Sequence, residues 1–268
     1  MVSESHAAGR IPTDPAPHDT GISDQHLNVD TRAPTDFAQF LKRLGCNQQE
    51  VTITEKKLRT WWGRGWATNG MPTWSRIKSS SAALQTRLAL SDTQLRKIAL
   101  ATPELLGYRA EVSVLPKLTA LQTRLALSDE QLRKVVLAKP NLLYYNFESN
   151  LLPKLGALQS RLELSDTQLQ RIVMVQPRIA TCDFKSNLGP KLDYLQSAAS
   201  LTLSELRDRV IAFPPMLAYS TARRYQPRYA ACRAAGVDAT AVLATITKRD
   251  AEFGAYLGRR RKLSSAKA

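Results

Sequence analysis

Four basic residues, each directly after a proline, are the most regular candidates for chemistry in this sequence. They recur at a step of 37 residues and are Lys117, Lys154, Lys191 and Arg228. The prolines predict the first turn of a helix, where a cation faces the positive end of the helix dipole at a cost of about 0.3–1 kcal/mol. Because a basic residue recurs despite this cost, we interpret the four as a row that contacts phosphate groups.

Two further sets of basic residues follow the same step. Arg124 and Arg161 come seven residues after Lys117 and Lys154, so each pair lies on one flank of a predicted helix. The first helix of each predicted repeat carries a competing row: Arg96, Lys97, Arg133, Lys134, Arg171 and Arg207. The sequence does not decide which row faces a ligand, and both could instead be solvated surface that keeps a repeat protein soluble. Acids suit a helix N-terminus, so changing Lys117, Lys154 and Lys191 to Glu is expected to leave the helices intact.

The composition favours a polyanion as partner and argues against catalysis. The chain has 268 residues, with 38 Lys and Arg against 23 Asp and Glu, for a net charge of +15. All three histidines lie within the first 26 residues, and the three cysteines have no CxxC spacing. There is no Gly-rich phosphate loop and no pairing of nucleophile and base. We therefore expect no enzyme, no cofactor, no metal site and no membrane-spanning segment.

An internal repeat must position these residues. The segments that begin at Ala83, Ala120 and Ala157 are nearly identical. Two sets of prolines keep the same step: Pro103, Pro140, Pro177 and Pro214, and Pro116, Pro153, Pro190 and Pro227.

Each unit is predicted to contain two helices and a short connector. Ser128 to Gln131 is a capping box, Pro140 ends the first helix, and the residues after it fit one 3₁₀ turn. The second helix is expected from Asn150, with a leucine stripe that one unit cannot bury alone. The fold class is therefore all-α, a solenoid of about four to five units that stack into a curved superhelix.

The motif from Leu127 to Leu143, the segment Asn150-Leu-Leu-Pro-Lys-Leu155 and the closing segment Pro227 to Gly236 resemble the mTERF (mitochondrial transcription termination factor) family. The resemblance covers about residues 83–258. It implies a half-ring solenoid whose basic concave face binds nucleic acid in mitochondria or plastids. The array is short for this family, and Ala251 replaces the proline of the fifth unit.

The resemblance and the charge together predict a monomeric nucleic-acid-binding factor in organellar gene expression, such as a regulator or terminator of transcription. The expected ligand is double-stranded DNA, with RNA as the other possibility. The alternative is an α-solenoid scaffold that binds protein partners, for example in a ribonucleoprotein or during ribosome assembly.

The chain ends are expected to differ from the repeat domain at 83–258. Residues 1–35 are acidic, lack apolar periodicity and are predicted to be disordered, with no recognisable transit peptide. Residues 36–82 are predicted to form a non-repeat cap, and 259–268 a basic tail. The cap contains a tryptophan cluster that could stack on bases or cover the end of the solenoid: Trp61, Trp62, Trp66 and Trp74.

Overall fold

The computed structural model of the chain describes residues 33–62 and 73–265, and within these ranges every regular element is a helix. This confirms the all-α repeat solenoid. The disorder predicted for the N-terminal segment lies largely outside the described residues, as do Trp66 and the side chains of Trp61 and Trp62. Trp74 is described, and its ring packs edge-on against Phe40 with 5.8 Å between the centroids.

Three helices precede the regular units: α1 (Ala33–Arg43), α2 (Gln48–Trp62) and α3 (Trp74–Leu88). Each unit then consists of a first α-helix, a 3₁₀ turn, a π-helical turn and a second α-helix. The first unit is α4 (Asp92–Ala101), Pro103–Gly107, Ala110–Val114 and α5 (Leu115–Arg124). The second is α6 (Asp129–Ala138), Pro140–Tyr144, Phe147–Leu151 and α7 (Leu152–Leu162).

The third unit is α8 (Asp166–Val175), Pro177–Thr181, Phe184–Leu188 and α9 (Gly189–Ala198). The fourth is α10 (Leu203–Ala212), Pro214–Ala218, Thr221–Tyr225 and α11 (Gln226–Ala234). A partial fifth unit follows, with α12 (Thr240–Ala244) and α13 (Asp250–Ser265). The predicted domain boundaries at 83 and 259 both fall inside helices, α3 and α13 respectively.

Capping boxes start all four first helices, as predicted from the sequence. In each box the hydroxyl accepts a backbone N–H three residues on, and that residue's side chain accepts the backbone N–H of the cap. The cap residues are Ser91, Ser128, Ser165 and Thr202. These bonds satisfy donors that a helix N-terminus otherwise leaves free, so the box fixes where each unit begins.

The second helix begins differently from the prediction. A π-helical turn from Phe147 precedes α7, and the Leu152 N–H bonds the carbonyl of Phe147 five residues back. The cause lies at Pro153, which has no N–H to continue the regular ladder. The wider turn therefore bridges the connector and α7, and the Asn146 side chain caps it by accepting the Ser149 N–H.

Left-handed residues end α3 and the second helices of the first three units. They are Ala89, Ala126, Glu163 and Ser200, with φ between 47° and 50°. Glycine is the usual residue in this conformation because it has no Cβ to clash. Here the following residue is a buried leucine in each case, for example Leu90 at 5% exposure, and packing of that leucine stabilises the turn.

A single apolar core extends along the whole described array, from Phe37 to Phe253. The first helix contributes Leu132, Val135 and Val136, all fully buried. The predicted leucine stripe of α7 is buried as well, and comprises Leu151, Leu155, Leu158 and Leu162. Because these side chains pack against the neighbouring units, burial depends on stacking, as expected for a solenoid.

Removal of one capping hydroxyl tests the role of the boxes. Ser128→Ala should lower the free energy of unfolding by about 0.5–2 kcal/mol, because the Gln131 N–H would have no side-chain acceptor. Chemical denaturation followed by circular dichroism measures this change. Ser160→Ala, at an exposed position within α7, is the matched control and should change stability by less than about 0.5 kcal/mol. Equal effects would contradict the assignment.

Candidate nucleic-acid interface

The cations that follow the second prolines bind groups within the protein. Lys117 Nζ donates to the Leu143 carbonyl at 3.0 Å, and Lys191 Nζ donates to the Leu217 carbonyl at 2.6 Å. Both acceptors lie 26 residues further on, in the 3₁₀ turn of the next unit. Lys191 is only 6% exposed, and desolvation by burial lowers its pKa. These lysines therefore join consecutive units.

The other two members of this row are also held by protein groups. Arg228 is 3% exposed and donates to the Thr245 carbonyl at 2.7 Å and to Asp250 Oδ1 at 2.8 Å. Lys154 Nζ donates to Asn150 Oδ1 at 2.7 Å and lies 5.2 Å from the centre of the Tyr145 ring. A phosphate would have to displace these interactions, so the row is poorly placed for the binding role that the sequence suggested.

Arginines near the ends of the second helices form a repeated bridge between units. Arg124 Nη1 donates to Asp166 Oδ1 at 3.1 Å, and Arg124 Nη2 donates to Gln159 Oε1. The Gln159 amide in turn donates to the same Asp166 oxygen at 2.9 Å. We call this triad the inter-unit bridge. An identical bridge joins Arg87, Gln122 and Asp129 one unit earlier.

The third bridge keeps its chemistry although one residue has changed. Leu203 stands where the earlier units have Asp129 and Asp166. Arg161 pairs instead with Asp193 at 2.9 Å and with Gln196 at 2.6 Å. Arg124 and Arg161 are therefore committed to the stacking of units rather than exposed for a ligand.

The bridges also set the ionisation of their acids. Hydrogen bonds from Gln159 and then from Arg124 lower the pKa of Asp166, and hydrogen bonds from Gln122 and Arg87 lower the pKa of Asp129. Both carboxylates are largely exposed, so each ion pair is individually weak. Their value is geometric, because they hold three side chains from adjacent units in one arrangement.

Several cations of the first helices are engaged in the same way. Arg133 donates to the carbonyl of the left-handed Ala89 at 3.3 Å, and Arg207 pairs with Glu163 Oε2 at 3.0 Å. Arg96 forms an ion pair with Glu50 of α2 at 2.8 Å. Cations suit the places beside Ala89 and Glu163 because a helix C-terminus carries partial negative charge.

Three predicted site residues remain accessible. Lys97, Lys134 and Arg171 occupy equivalent exposed positions on α4, α6 and α8, and we call them the first-helix row. Lys134 pairs with Glu130, at 2.8 Å and in an exposed position. For Lys97 and Arg171 the described part of the chain offers no hydrogen-bond or ion-pair partner. The equivalent residue of α10 is Asp208, so the row ends at the third unit.

The residues beside the first-helix row have short side chains. One turn further along each first helix lies a residue with a small or short side chain, exposed in every unit: Ala101, Ala138, Val175 and Ala212. The outer faces of α5 and α7, by contrast, present mainly hydroxyls and a glycine, including Thr119, Thr123, Ser160 and Gly156. Of the two competing rows, the first-helix row is thus the one whose charged side chains are exposed.

The inter-unit bridge was missed by the sequence analysis although a signal existed. Arg87 and Asp129 are 42 residues apart, and so are Arg124 and Asp166. An oppositely charged pair that recurs at one unit plus five residues indicates an interaction between neighbours. The burial of Lys191 and Arg228 had no such signal, since their acceptors include backbone carbonyls and every residue carries one.

Within the described ranges, no group of His, Cys, Asp and Glu side chains is arranged to hold a metal ion. None of the helices described there is long and apolar enough to cross a membrane.

Charge reversal at Lys191 tests its structural role, and the buried position of this lysine corrects the expectation that the helices would be unaffected. Lys191→Glu should lower the free energy of unfolding by on the order of 3 kcal/mol, because a buried carboxylate would face the Leu217 carbonyl. Thermal and urea denaturation measure the change. Lys97→Glu is the exposed control and should cost less than about 0.5 kcal/mol. A Lys191→Glu protein as stable as the control would refute the inter-unit role.

Comparison with known proteins identifies the family to which this repeat array belongs. No curated protein matches the chain. The sequence profile of the mTERF family matches residues 76–254, which covers all four units, most of α3 and the start of α13. Members of this family are helical-repeat proteins that bind nucleic acid and are typically organellar. The stacked two-helix units, their capping boxes and the profile match agree, and the chain belongs to the mTERF family.

Proposed function

We propose that this protein regulates organellar gene expression by binding nucleic acid along the first-helix row. The observation that carries the proposal is the exposure of Lys97, Lys134 and Arg171 at equivalent positions on three stacked helices. This assignment replaces the row at the second prolines as the preferred binding surface. Regulation or termination of transcription, in a mitochondrion or a plastid, is the process that we propose.

The spacing of the row suits a phosphate backbone. Stacked helices lie about 8–10 Å apart, so consecutive cations should have a similar separation. Phosphates along one strand of a duplex advance by about 3.4 Å each along the helix axis, so cations at this separation can contact different phosphates of one backbone. The small residues next to the row let a backbone approach the helices without steric conflict.

The chemistry of the row favours binding to phosphates over reading of bases. Lysine and arginine provide charge, while the neighbouring Ala101 and Ala138 offer no side-chain hydrogen-bonding group for a base edge. Exposed arginines on α13 add charge at the other end of the array: Arg259, Arg260 and Arg261. We therefore expect binding that depends strongly on salt and weakly on sequence.

The scaffold alternative has one observation in its favour, an apolar groove between the first two units that is lined by residues such as Leu115, Phe147 and Leu152. This groove lies on the second-helix side, away from the first-helix row. The two proposals therefore concern different surfaces, and both can hold for one protein.

Charge reversal along the first-helix row tests the nucleic-acid proposal. The triple variant Lys97→Glu, Lys134→Glu and Arg171→Glu should bind duplex DNA much more weakly. The slope of log K against log salt should become shallower by about 3, because each neutralised phosphate of a duplex contributes about 0.9 to that slope. With single-stranded RNA the change should be about 2, at about 0.7 for each phosphate. Fluorescence anisotropy across a salt series measures both slopes.

The matched control makes the same charge change on the other side of the array. Lys185, Arg223 and Arg233 are exposed and belong to the π-helical turns and α11. Their reversal should leave most of the binding intact. Equal weakening in the two triples would mean that only net charge matters. Weakening confined to the control triple would place the interface on the second-helix side and refute the proposed site.

A further inference from the structure

An apolar groove lies between α5 and the π-helical turn that leads into α7. Its volume is about 680 Å³. The floor and walls include Leu115, Ala120, Phe147 and Leu152, while Thr119 lies exposed along the side. Because several lining residues are exposed, the groove is a surface feature rather than an enclosed cavity, and its shape suits a side chain from another molecule.

The rim of this groove is acidic in a strongly basic protein. Glu111 and Glu148 line it from the π-helical turns of the first and second units, and both are exposed. The remaining charged lining residue, Arg124, is held by Asp166 and Gln159 in the inter-unit bridge. The local charge is thus opposite in sign to the net charge of +15.

An unusual exposed side chain lies beside the same rim. Val112 follows Glu111 directly and is 69% exposed, the largest value among the exposed large apolar residues described. The equivalent residues of the next three units are polar or charged: Ser149, Ser186 and Arg223. The apolar character of this site therefore extends beyond the groove, and does so at the first unit rather than at the other three.

The equivalent place one unit further on has neither feature. Lys185 stands where Glu148 is, so the acidic pair is broken. Gly189 replaces Leu152, so the apolar side chain that Leu152 contributes to the groove has no counterpart there. The repeat supplies an internal comparison in which stacking is kept and the acidic, apolar groove is not.

We propose that this groove docks a basic amphipathic helix of a partner protein. Leucine or phenylalanine side chains of that helix would enter between α5 and the second π-helical turn, as in other helix-in-groove complexes. Lysine or arginine on either side would pair with Glu111 and Glu148. An acidic partner is disfavoured at this place because like charges oppose each other across an interface.

Two synthetic helical peptides of about 16 residues test the proposal. Both carry leucine at helical spacing. At all remaining positions one peptide has lysine and the other has glutamate. At physiological salt the lysine peptide should bind at least about tenfold more tightly, by fluorescence anisotropy. Net charge alone predicts the opposite order, since a protein of +15 attracts the glutamate peptide.

Two sets of variants locate the binding. Thr119→Trp fills the groove from an exposed position and should weaken the lysine peptide by about tenfold or more. Gly156→Trp is its equivalent one unit on, where a Cβ meets nothing within 4 Å, and should change binding by less than about twofold. The double variant Glu111→Lys and Glu148→Lys should reverse the preference between the peptides. The same charge change at Glu130 and Asp208, on the first helices, should not.

The result that overturns the proposal is specific. Tighter binding of the glutamate peptide by the unmodified protein would show that overall charge dominates. Equal weakening in Thr119→Trp and Gly156→Trp would place the peptide elsewhere. Neither outcome bears on the first-helix row, whose test uses nucleic acid and different residues.

Discussion

The structure depends on one constraint: no unit can bury its own apolar face. Leu155 and Leu158 of α7 are 1% exposed only because adjacent units cover them. Hydrophobic stacking supplies the driving force without selecting one register. The inter-unit bridges select it, since Arg124 reaches Gln159 and Asp166 only when the next two units are correctly placed. Hydrophobic packing thus stabilises the array, and the polar bridges determine its register.

Many of the positively charged side chains are engaged in contacts between units. Lys191 and Arg228 are buried against carbonyls, and Arg161 pairs with Asp193. The net charge of +15 therefore overstates what a ligand would meet. Among the candidate cations that the structure describes, those on the outer surface of the first helices combine exposure with regular spacing. Periodicity alone therefore does not distinguish the exposed cations from those that are held by protein groups.

The fold was predictable from the sequence because its signals are local. Capping boxes and prolines each act within a few residues and recur at the 37-residue step, and Ser128 and Pro140 mark the ends of α6 directly. The candidate site was less predictable because it depends on interactions between units. Lys97 and Lys117 are both basic residues at a fixed step, yet Lys117 bonds a carbonyl 26 residues away and Lys97 is exposed. No local sequence pattern distinguishes a lysine that bonds another unit from one that is exposed.

The inter-unit bridge also bears on how such an array changes length in evolution. Arg124 lies on α5, while its glutamine partner is on α7 and its aspartate partner on α8, and the same three residue types form the bridge one step earlier. A duplicated copy of residues 129–165 inserted in frame would find matching partners on both sides. Gene duplication can therefore lengthen or shorten the array by whole units while every junction is regenerated, and the near-identical segments at Ala83 and Ala120 are what such an event leaves behind.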